Sequence, residues 1–505
     1  MPLTRRDFVR DLSGAAVGGP LLARADAQVT PDLVELRPEV ESLVALIEKT
    51  PREKCAVMLA GLLGRGVSYR QMLAALFLAA VRNVNPRPPG FALHSVFVIH
   101  SAHLLSLEAP ADARLLPLFF ALDNFKGSQE RDASAAAGDF TMRPFRGRLP
   151  APERAGAELV AAMEAWDVER AERAVISMAR QDNASGVFET LWSYGARDYR
   201  NIGHKAIYVA NAFRTLHAIG WQHAEPVVRS LVLSLLDFGR EERVNGYAFE
   251  DQCYLSNVKR SHERLPGDWN AAGADETATR AVLDLIRKEK PDPACGAVAQ
   301  QMASGQLRAA AVWDAVHLAA AELRMRARKA AGLVALHAVT SANALRQAWL
   351  STASPPTRFL ILLQAVGWMG QFTHWSATRE TDMRDLDITR IEPEPVSEKL
   401  DEVLADTFQA IPADLDKAAA NVFAIAGKLP AREAFAAAAR RLVLTRADEV
   451  HHYKYSAALT EDVALVSPRW QPHLTAAAVF YMKGSQAPET AVVKRAREAL
   501  RTLPA

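Results

Sequence analysis

The chain has 505 residues, of which half are apolar and 7% aromatic. A chain of this length and apolar content can bury a large core, so it does not belong to the class of intrinsically disordered proteins. Its 60 basic and 58 acidic residues leave a formal net charge of +2, and no run of five Lys or Arg residues occurs. The charge pattern therefore predicts no nucleic-acid partner and favours a small molecule or a protein.

The N-terminal segment has the pattern of an export signal. Arg5 and Arg6 precede a mildly apolar stretch that ends at Ala23, and small residues follow it. Paired arginines before such a stretch are typical of a twin-arginine signal peptide, and the stretch is shorter than the roughly 20 apolar residues that a membrane-spanning helix needs. The sequence predicts a signal peptide at 1–27, a helical domain at 28–505, no membrane span, and a periplasmic or extracellular location.

Three cysteines limit the metal and disulfide chemistry of the chain. Cys55, Cys253 and Cys295 are widely spaced, and no Cys-x-x-Cys or Cys-x-x-Cys-His motif occurs. Thiolate zinc, covalently attached haem and iron–sulfur sites are therefore not expected. One disulfide between two of the three stays open in an oxidising compartment, and the sequence does not select the pair.

Apolar residues recur at spacings of three and four along almost the whole chain, while alternating strand patterns are scarce. This periodicity predicts an all-α protein, a large irregular domain of about 18–20 helices rather than a simple four-helix bundle. Proline, capping residues and periodicity predict individual helices from Pro51 and over 167–179, 185–196, 204–220, 224–238, 306–333, 359–369 and 403–410.

Three stretches carry more specific expectations. Segment 306–333 is rich in Ala and Arg, and its arginines recur about one turn apart, which predicts one long helix with a solvated basic face. Segments 126–152 and 241–275 are rich in Gly, Asp, Arg and Asn, which predicts irregular structure. Loops of this length in compact domains are often lids or binding loops.

The most informative residues are four histidines, each of which opens a helix-like stretch rich in small residues: His94, His204, His337 and His451. Imidazole acts as a base, a hydrogen-bond donor or a metal ligand near neutral pH. Four such residues on separate apolar helices suggest the hypothesis that they converge on one pocket. The alternative is that each is a buried structural histidine. Lys454 follows the last of them by three residues, on the same helical face.

Other ligand patterns are weaker. His100 and His103 lie three residues apart and could bind a metal from one helix. Glu449-x-x-His452 has the spacing used in carboxylate-bridged di-iron bundles, but its one companion, Asp314-x-x-His317, has aspartate in place of glutamate. The dinucleotide, phosphate-loop, Gly-x-Ser-x-Gly and His-Glu-x-x-His motifs are all absent. Standard nucleotide-binding and hydrolase sites are therefore not expected.

Taken in order, the four histidine segments resemble the questin oxidase-like family. The first match is His94 before a small-residue run, and the second is His204 in His-Lys-Ala-Ile. The third is His337 in Leu-His-Ala-Val-Thr-Ser followed by Ala-Leu-Arg. The fourth is Asp-Glu-Val-His-His-Tyr-Lys, which contains His451 and Lys454. The matches sum to about a tenth of the chain and occur in the expected order.

This resemblance implies a helical oxidoreductase that carries out Baeyer–Villiger-type oxygenation of an aromatic or polyketide-like small molecule. It implies that the four histidines line the pocket, that Lys454 positions an anionic or phenolate group, and that NADPH is the reductant. The residues themselves leave the cofactor open, with a histidine-bound metal or non-covalent haem as candidates. The alternatives to an enzyme are an exported helical scaffold for a hydrophobic ligand or partner, and a histidine-ligated metal protein.

Overall fold

A computed structural model describes residues 33–134, 140–237, 248–271, 273, 275–328 and 330–502. These residues form 22 α-helices and six short 3₁₀-helices, and none of them lies in a β-strand. The predicted all-α, multi-helix class is confirmed, with slightly more helices than expected.

The α-helices, numbered in chain order, are α1 Pro38–Lys49, α2 Cys55–Gly64, α3 Tyr69–Asn83, α4 His94–Leu107, α5 Leu116–Ala133, α6 Pro152–Ala165, α7 Val168–Ala179, α8 Ala184–Gly195, α9 His204–Ile219, α10 Ala224–Leu235, α11 Ala248–Arg260, α12 Glu276–Lys288, α13 Pro291–Ala303, α14 Ala309–Arg326, α15 Gly332–Ser351, α16 Pro355–Arg379, α17 Leu400–Ala410, α18 Leu415–Ala426, α19 Leu429–Arg446, α20 Val450–Leu465, α21 Gln471–Ala477 and α22 Ala491–Arg501.

Local capping accounts for several helix starts. The side chain of Asp167 accepts a hydrogen bond from the amide of Arg170 and so caps α7, at the position that the sequence predicted. Ser354 caps α16 in the same way, and Pro355 occupies its first position, where the missing amide proton costs nothing. The helix that was predicted to start at Pro51 begins one residue later as a 3₁₀ turn at 52–54 and becomes α-helical at Cys55.

The predicted single helix over 306–333 is wrong, because the chain forms two helices there. α14 ends at Arg326 and α15 begins at Gly332. The carboxylate of Glu380 accepts hydrogen bonds of 3.1 Å from the backbone amides of Arg328 and Ala331, in the connection between the two helices. A side chain about 50 positions further along the chain thus stabilises the break, which local periodicity does not show.

The expectation of a solvated arginine face on this segment also needs correction. Arg324 is buried, and its guanidinium donates to the carbonyls of Ala327 at 3.3 Å and Phe480 at 3.1 Å. The C-terminal end of α14 therefore packs against the C-terminal part of the chain. Arg328, in contrast, is exposed, as predicted.

The two stretches predicted to be irregular are partly helical. α5 continues through Ala133, into the predicted loop 126–152, and residues 140–151 of that loop are irregular. α11 occupies the middle of the second stretch, 241–275, which contains enough apolar residues for a buried face. The predicted signal peptide at 1–27 lies outside the described residues.

Four helices form a closed ring in the middle of the molecule. α4 packs on α9, α9 on α15, α15 on α20, and α20 on α4. We call these four the histidine helices, since each carries one of the four histidines singled out above. α16, the longest helix among the described residues, packs against α15. No helix in the described part of the chain is long and apolar enough to cross a membrane.

Candidate functional site

The four histidines meet inside the ring of helices. The ring centroids of His94 and His451 lie 4.5 Å apart, and those of His204 and His337 lie 4.6 Å apart. The centroid of His94 is 4.9 Å from that of His204, and the centroid of His337 is 5.2 Å from that of His451. All four side chains are buried. We call these four residues the histidine centre.

Their positions in the helices explain why the rings converge. His94 and His204 are the first residues of α4 and α9, and His451 is the second residue of α20. Because helical side chains tilt towards the N-terminus, these rings extend beyond the helix ends into the shared space. The N-terminal ends of three helices also bring their positive dipole ends to the centre, which disfavours protonated imidazole and favours a bound anion.

The outer nitrogens of three imidazoles are held by hydrogen-bond acceptors. His337 Nδ1 lies 2.7 Å from the carbonyl oxygen of Leu333, and His204 Nδ1 contacts the carbonyl oxygen of Asn201. His451 Nδ1 lies 2.9 Å from a carboxylate oxygen of Glu449. A carbonyl or carboxylate oxygen can only accept, so in all three rings Nδ1 carries the proton and Nε2 keeps its lone pair.

The inner nitrogens form a candidate metal site. His94 Nε2 lies 2.7 Å from His204 Nε2, and because His204 Nε2 keeps its lone pair, His94 Nε2 donates to it when no cation is bound. His337 Nε2 and His451 Nε2 are buried and have no hydrogen-bond partner. One ligand nitrogen from each of His94, His204 and His337 lies within 4.8 Å of the others. Within the described residues, this is the one group of three or more His, Cys, Asp or Glu side chains close enough to hold a metal ion.

A strained turn leads into His204. Asn201 and Ile202 have φ values of 55° and 49°, in the left-handed region, and Gly203 has φ of 80°. A Cβ at Gly203 would lie 2.1 Å from Ser341 Oγ, so only glycine fits between this turn and α15. Left-handed backbone at a β-branched isoleucine is costly and occurs mainly where the surroundings impose it. Here it aims the carbonyl of Asn201 at the His204 ring.

Lys454 lies beside the centre with no counter-ion in hydrogen-bond contact. Its Nζ is buried without a hydrogen-bond partner and lies 5.3 Å from the centroid of the Phe97 ring. Burial lowers the pKa of Lys454 to about 7, although the charge of Glu449 opposes the shift. The ammonium and amine forms are therefore both populated near neutral pH.

The histidines are neutral in this environment. Burial, followed by the charge of Lys454, lowers the pKa of His94, His204 and His337 well below the usual value for histidine. Burial also lowers the pKa of His451, against the opposing hydrogen bond to Glu449. Metal ions bind neutral imidazole, so the centre has its ligands in the binding-competent form at neutral pH.

Glu449 connects the centre to the C-terminal part of the chain. Its second carboxylate oxygen accepts a hydrogen bond from the hydroxyl of Tyr481. Burial alone would raise the pKa of Glu449, but the hydrogen bonds with His451 and Tyr481 outweigh it and bring this pKa to about 2. A half-buried carboxylate that stays ionised orients His451 and stabilises positive charge on its ring.

Other histidines singled out in the sequence lie outside the centre. His100 and His103 are both buried, and His103 Nδ1 contacts the hydroxyl of Tyr69 at 3.4 Å. His317 pairs with Asp462 at 3.3 Å, and the ring of His452 stacks on Tyr481. Among the described residues, no cluster of potential metal ligands combines the Glu449-x-x-His452 motif with the Asp314-x-x-His317 motif. The di-iron hypothesis therefore has no support in this part of the molecule.

The sequence indicates the four histidines and Lys454 but not the side chains that contact them. Phe97, Glu449 and Tyr481 line or hold the centre, and only Glu449 had appeared in a motif, with a different role. The small residues after each histidine were the useful signal. Ser341, one turn after His337, packs on Gly203 immediately before His204, which brings the two histidine helices close together.

Comparisons with protein-family models, with curated proteins and with solved structures found no match to this chain.

Proposed function

We propose that this protein is a metal-dependent oxidoreductase that oxygenates an aromatic or polyketide-like small molecule. One observation carries the proposal: ligand nitrogens of His94, His204 and His337 lie within 4.8 Å of one another, on three separate helices. Backbone carbonyls hold the outer nitrogens of the latter two rings. Imidazoles oriented by such partners are typical ligands of iron, copper, zinc or nickel.

The reaction class rests on the resemblance of the four histidine segments to the questin oxidase-like family. In a Baeyer–Villiger-type oxygenation, one atom of O₂ is inserted between a carbonyl carbon and its neighbour. The other atom leaves as water, with two protons and two electrons from a reductant. By the same resemblance the reductant is a reduced nicotinamide such as NADPH. When bound, a redox-active metal such as iron or copper would supply one-electron chemistry for the reaction with O₂.

The residues around the metal ligands suit a phenolic substrate. His451 Nε2 has a free lone pair, and its Nδ1 is held by an ionised carboxylate, which are the properties of a general base. In its ammonium form, Lys454 stabilises the phenolate that results, together with the helix N-termini. The ring of Phe97 supplies an apolar wall beside Lys454 and His94.

The test is metal analysis of the full chain, purified without chelator, beside His204→Gln and His337→Gln. We expect about one metal ion per chain in the wild type and loss of this ion in both variants, because each removes one of three ligands. His103→Gln is the matched control, since His103 is buried on the same helix as His94 but outside the centre. This control should keep the metal.

Two outcomes would contradict the proposal. A wild-type chain that stays metal-free after incubation with Fe²⁺, Cu²⁺ and Zn²⁺ in turn would remove the metal centre. A metal-loaded chain that consumes no O₂ with a hydroxyanthraquinone and reduced nicotinamide would leave a metal protein without this activity. Absorbance of the quinone and an oxygen electrode measure the second outcome.

A second candidate function is an exported scaffold that holds a hydrophobic ligand. A cavity of about 150 Å³ lies among α19, α20 and α21 and is lined mainly by apolar side chains, including Ala436, Ala439, Val443, Leu459 and Leu474. Cavities of this size accept a single aromatic ring. If an aromatic probe binds with equal affinity to the wild type and to His337→Gln, and neither consumes O₂, this function is favoured over oxygenation.

A further inference from the structure

Two of the three cysteines lie side by side in the core, far apart in sequence. Cys253 is on α11 and Cys295 is on α13, 42 positions later. Their Sγ atoms are 3.4 Å apart, and the two residues are 2% and 0% exposed. This separation is below the usual contact distance between sulfur atoms of unrelated side chains, so the two helices aim both thiols at the same point.

A third helix leaves space for the pair. Gly367, on α16, faces the two sulfurs, and a Cβ there would lie 2.3 Å from Cys253 Sγ and 3.1 Å from Cys295 Sγ. Any other residue at this position would force the cysteines apart. The absence of a side chain at Gly367 thus allows the two sulfur atoms to lie close together. Two thiols that never react with each other would not need this space.

The polar surroundings of the pair are satisfied on both sides. Asn257 Nδ2 lies 3.4 Å from Cys295 Sγ and donates at 2.9 Å to the amide oxygen of Gln364. The thiol of Cys295 donates to the carbonyl of Leu363 at 3.1 Å. Cys55, in contrast, lies on α2, where its thiol contacts the carbonyl of Thr50. Only Cys253 and Cys295 are therefore in position to react with each other.

We propose that Cys253 and Cys295 form a disulfide in the mature protein and so connect α11 to α13. Each thiol loses its proton, one S–S bond forms, and the two electrons reduce a disulfide oxidant such as oxidised glutathione or a thiol–disulfide oxidoreductase. The oxidising compartment predicted from the N-terminal sequence supplies such an oxidant. The bond would fix α11 and α13 against α16.

The surroundings also suggest when the bond forms. The hydrogen bond with Cys295, together with burial, raises the pKa of the Cys253 thiol, so the reactive thiolate is scarce once the core is closed. Exchange with an external disulfide also requires access that the buried pair does not give. The bond therefore forms when α11 and α13 separate transiently, and afterwards it resists reduction unless these helices separate again.

The experiment is thiol mapping on the mature protein, purified from the compartment to which it is exported. The protein is denatured in iodoacetamide without reductant, digested, and analysed by mass spectrometry. We expect the peptides of Cys253 and Cys295 to be joined, with the loss of two hydrogen atoms, and Cys55 to be alkylated. Alkylation of all three cysteines would overturn the proposal.

Variants provide a second measurement. The wild type, Cys253→Ser and the control Cys55→Ser are each unfolded and refolded with and without a reductant, and thermal unfolding of the refolded proteins is then recorded. We expect the reductant to lower the melting temperature of the wild type and of Cys55→Ser by a few degrees, and to leave that of Cys253→Ser unchanged. Equal behaviour of all three proteins would also overturn the proposal. Metal content should not change in Cys253→Ser, so this result is independent of the proposed function.

Discussion

At the scale of single residues, Glu449 tests the role of His451 most directly. The substitution Glu449→Gln keeps the shape of the side chain but removes the charge that holds His451 Nδ1 at 2.9 Å. If His451 is the general base, kcat for O₂ consumption should fall about 10²- to 10⁴-fold with little change in KM. Metal content should stay at the wild-type level, because His94, His204 and His337 are intact. Steady-state kinetics and metal analysis measure the two effects.

Asp448→Asn is the control for this substitution. Asp448 is the neighbouring acid and pairs with Lys483 at 2.8 Å rather than with the histidine centre. Its loss should leave kcat within about twofold of the wild type, as expected for an exposed ion pair. If Glu449→Gln loses its metal together with its activity, His451 is a ligand and not the base. If kcat is unchanged, neither role holds.

His103 gives a pH prediction that is independent of the centre. Burial lowers the pKa of His103 to about 4, whereas in the unfolded chain histidine titrates near 6.5. Between these two values the unfolded state binds a proton that the folded state does not, so the free energy of unfolding falls as the pH falls from about 6.5 to 4. The full effect is about 3 kcal/mol, from 1.36 kcal/mol for each pKa unit.

The measurement is urea unfolding of the wild type and His103→Gln at pH 7, 6 and 5. The variant lacks this titrating group, so its free energy of unfolding should fall less steeply with acidification. The difference in slope should approach about 1.4 kcal/mol per pH unit below pH 6. The other buried histidines contribute equally to both proteins and cancel in this difference. Parallel curves would show that His103 is accessible to protons in the folded state.

At the scale of the element, the turn before α9 determines where His204 points. A Gly203→Ala substitution places a methyl group 2.1 Å from Ser341 Oγ and 3.1 Å from a ring carbon of Trp368, at φ of 80°. Overpacking and left-handed strain together should lower the free energy of unfolding by about 2–4 kcal/mol. Metal affinity should fall as well, because the turn carries the carbonyl that orients His204. Urea unfolding and metal titration test these effects.

Gly156→Ala is the matched control for this turn. Gly156 lies inside α6, and a Cβ there meets nothing within 4 Å. Alanine in an open helical position should raise the free energy of unfolding by about 0.5–1 kcal/mol. If Gly203→Ala behaved like this control, the turn would adapt freely and would not be a rigid support for His204.

The helices differ in how far the sequence predicted them. α7 begins at the aspartate cap that the sequence indicated, since a cap is a local hydrogen bond between neighbouring residues. The break between α14 and α15 was missed, because it depends on Glu380, which is remote in sequence and carries no local signal. The irregular stretch predicted over 126–152 begins later than expected, because its Gly, Asp and Arg residues suggested a loop where α5 continues through Ala133. Periodicity thus predicts that a helix exists better than where it ends.

At the scale of the whole molecule, the sequence indicated which residues form the histidine centre but not how they are arranged in space. The four histidines could be identified because each precedes small residues, which allow helices to pack closely. Their convergence was only a hypothesis, since nothing in the sequence tells which helices are neighbours. Two of the groups that fix the imidazoles are backbone carbonyls, those of Asn201 and Leu333, and these leave no trace in residue identity.

The same geometry predicts how metal removal affects the whole fold. The proposed ligands come from α4, α9 and α15, so a bound ion cross-links helices that are distant in the chain. An ion that binds only the folded state stabilises it by about 4 kcal/mol at a thousandfold excess over Kd. A chelator should therefore lower the melting temperature of the wild type by several degrees, and re-addition of the ion should restore it.

His337→Gln should melt at the same temperature with and without chelator, because it lacks one ligand. A chelator effect of equal size in both proteins would locate the stabilising ion outside the histidine centre, whereas no effect in the wild type would mean that no ion cross-links these helices.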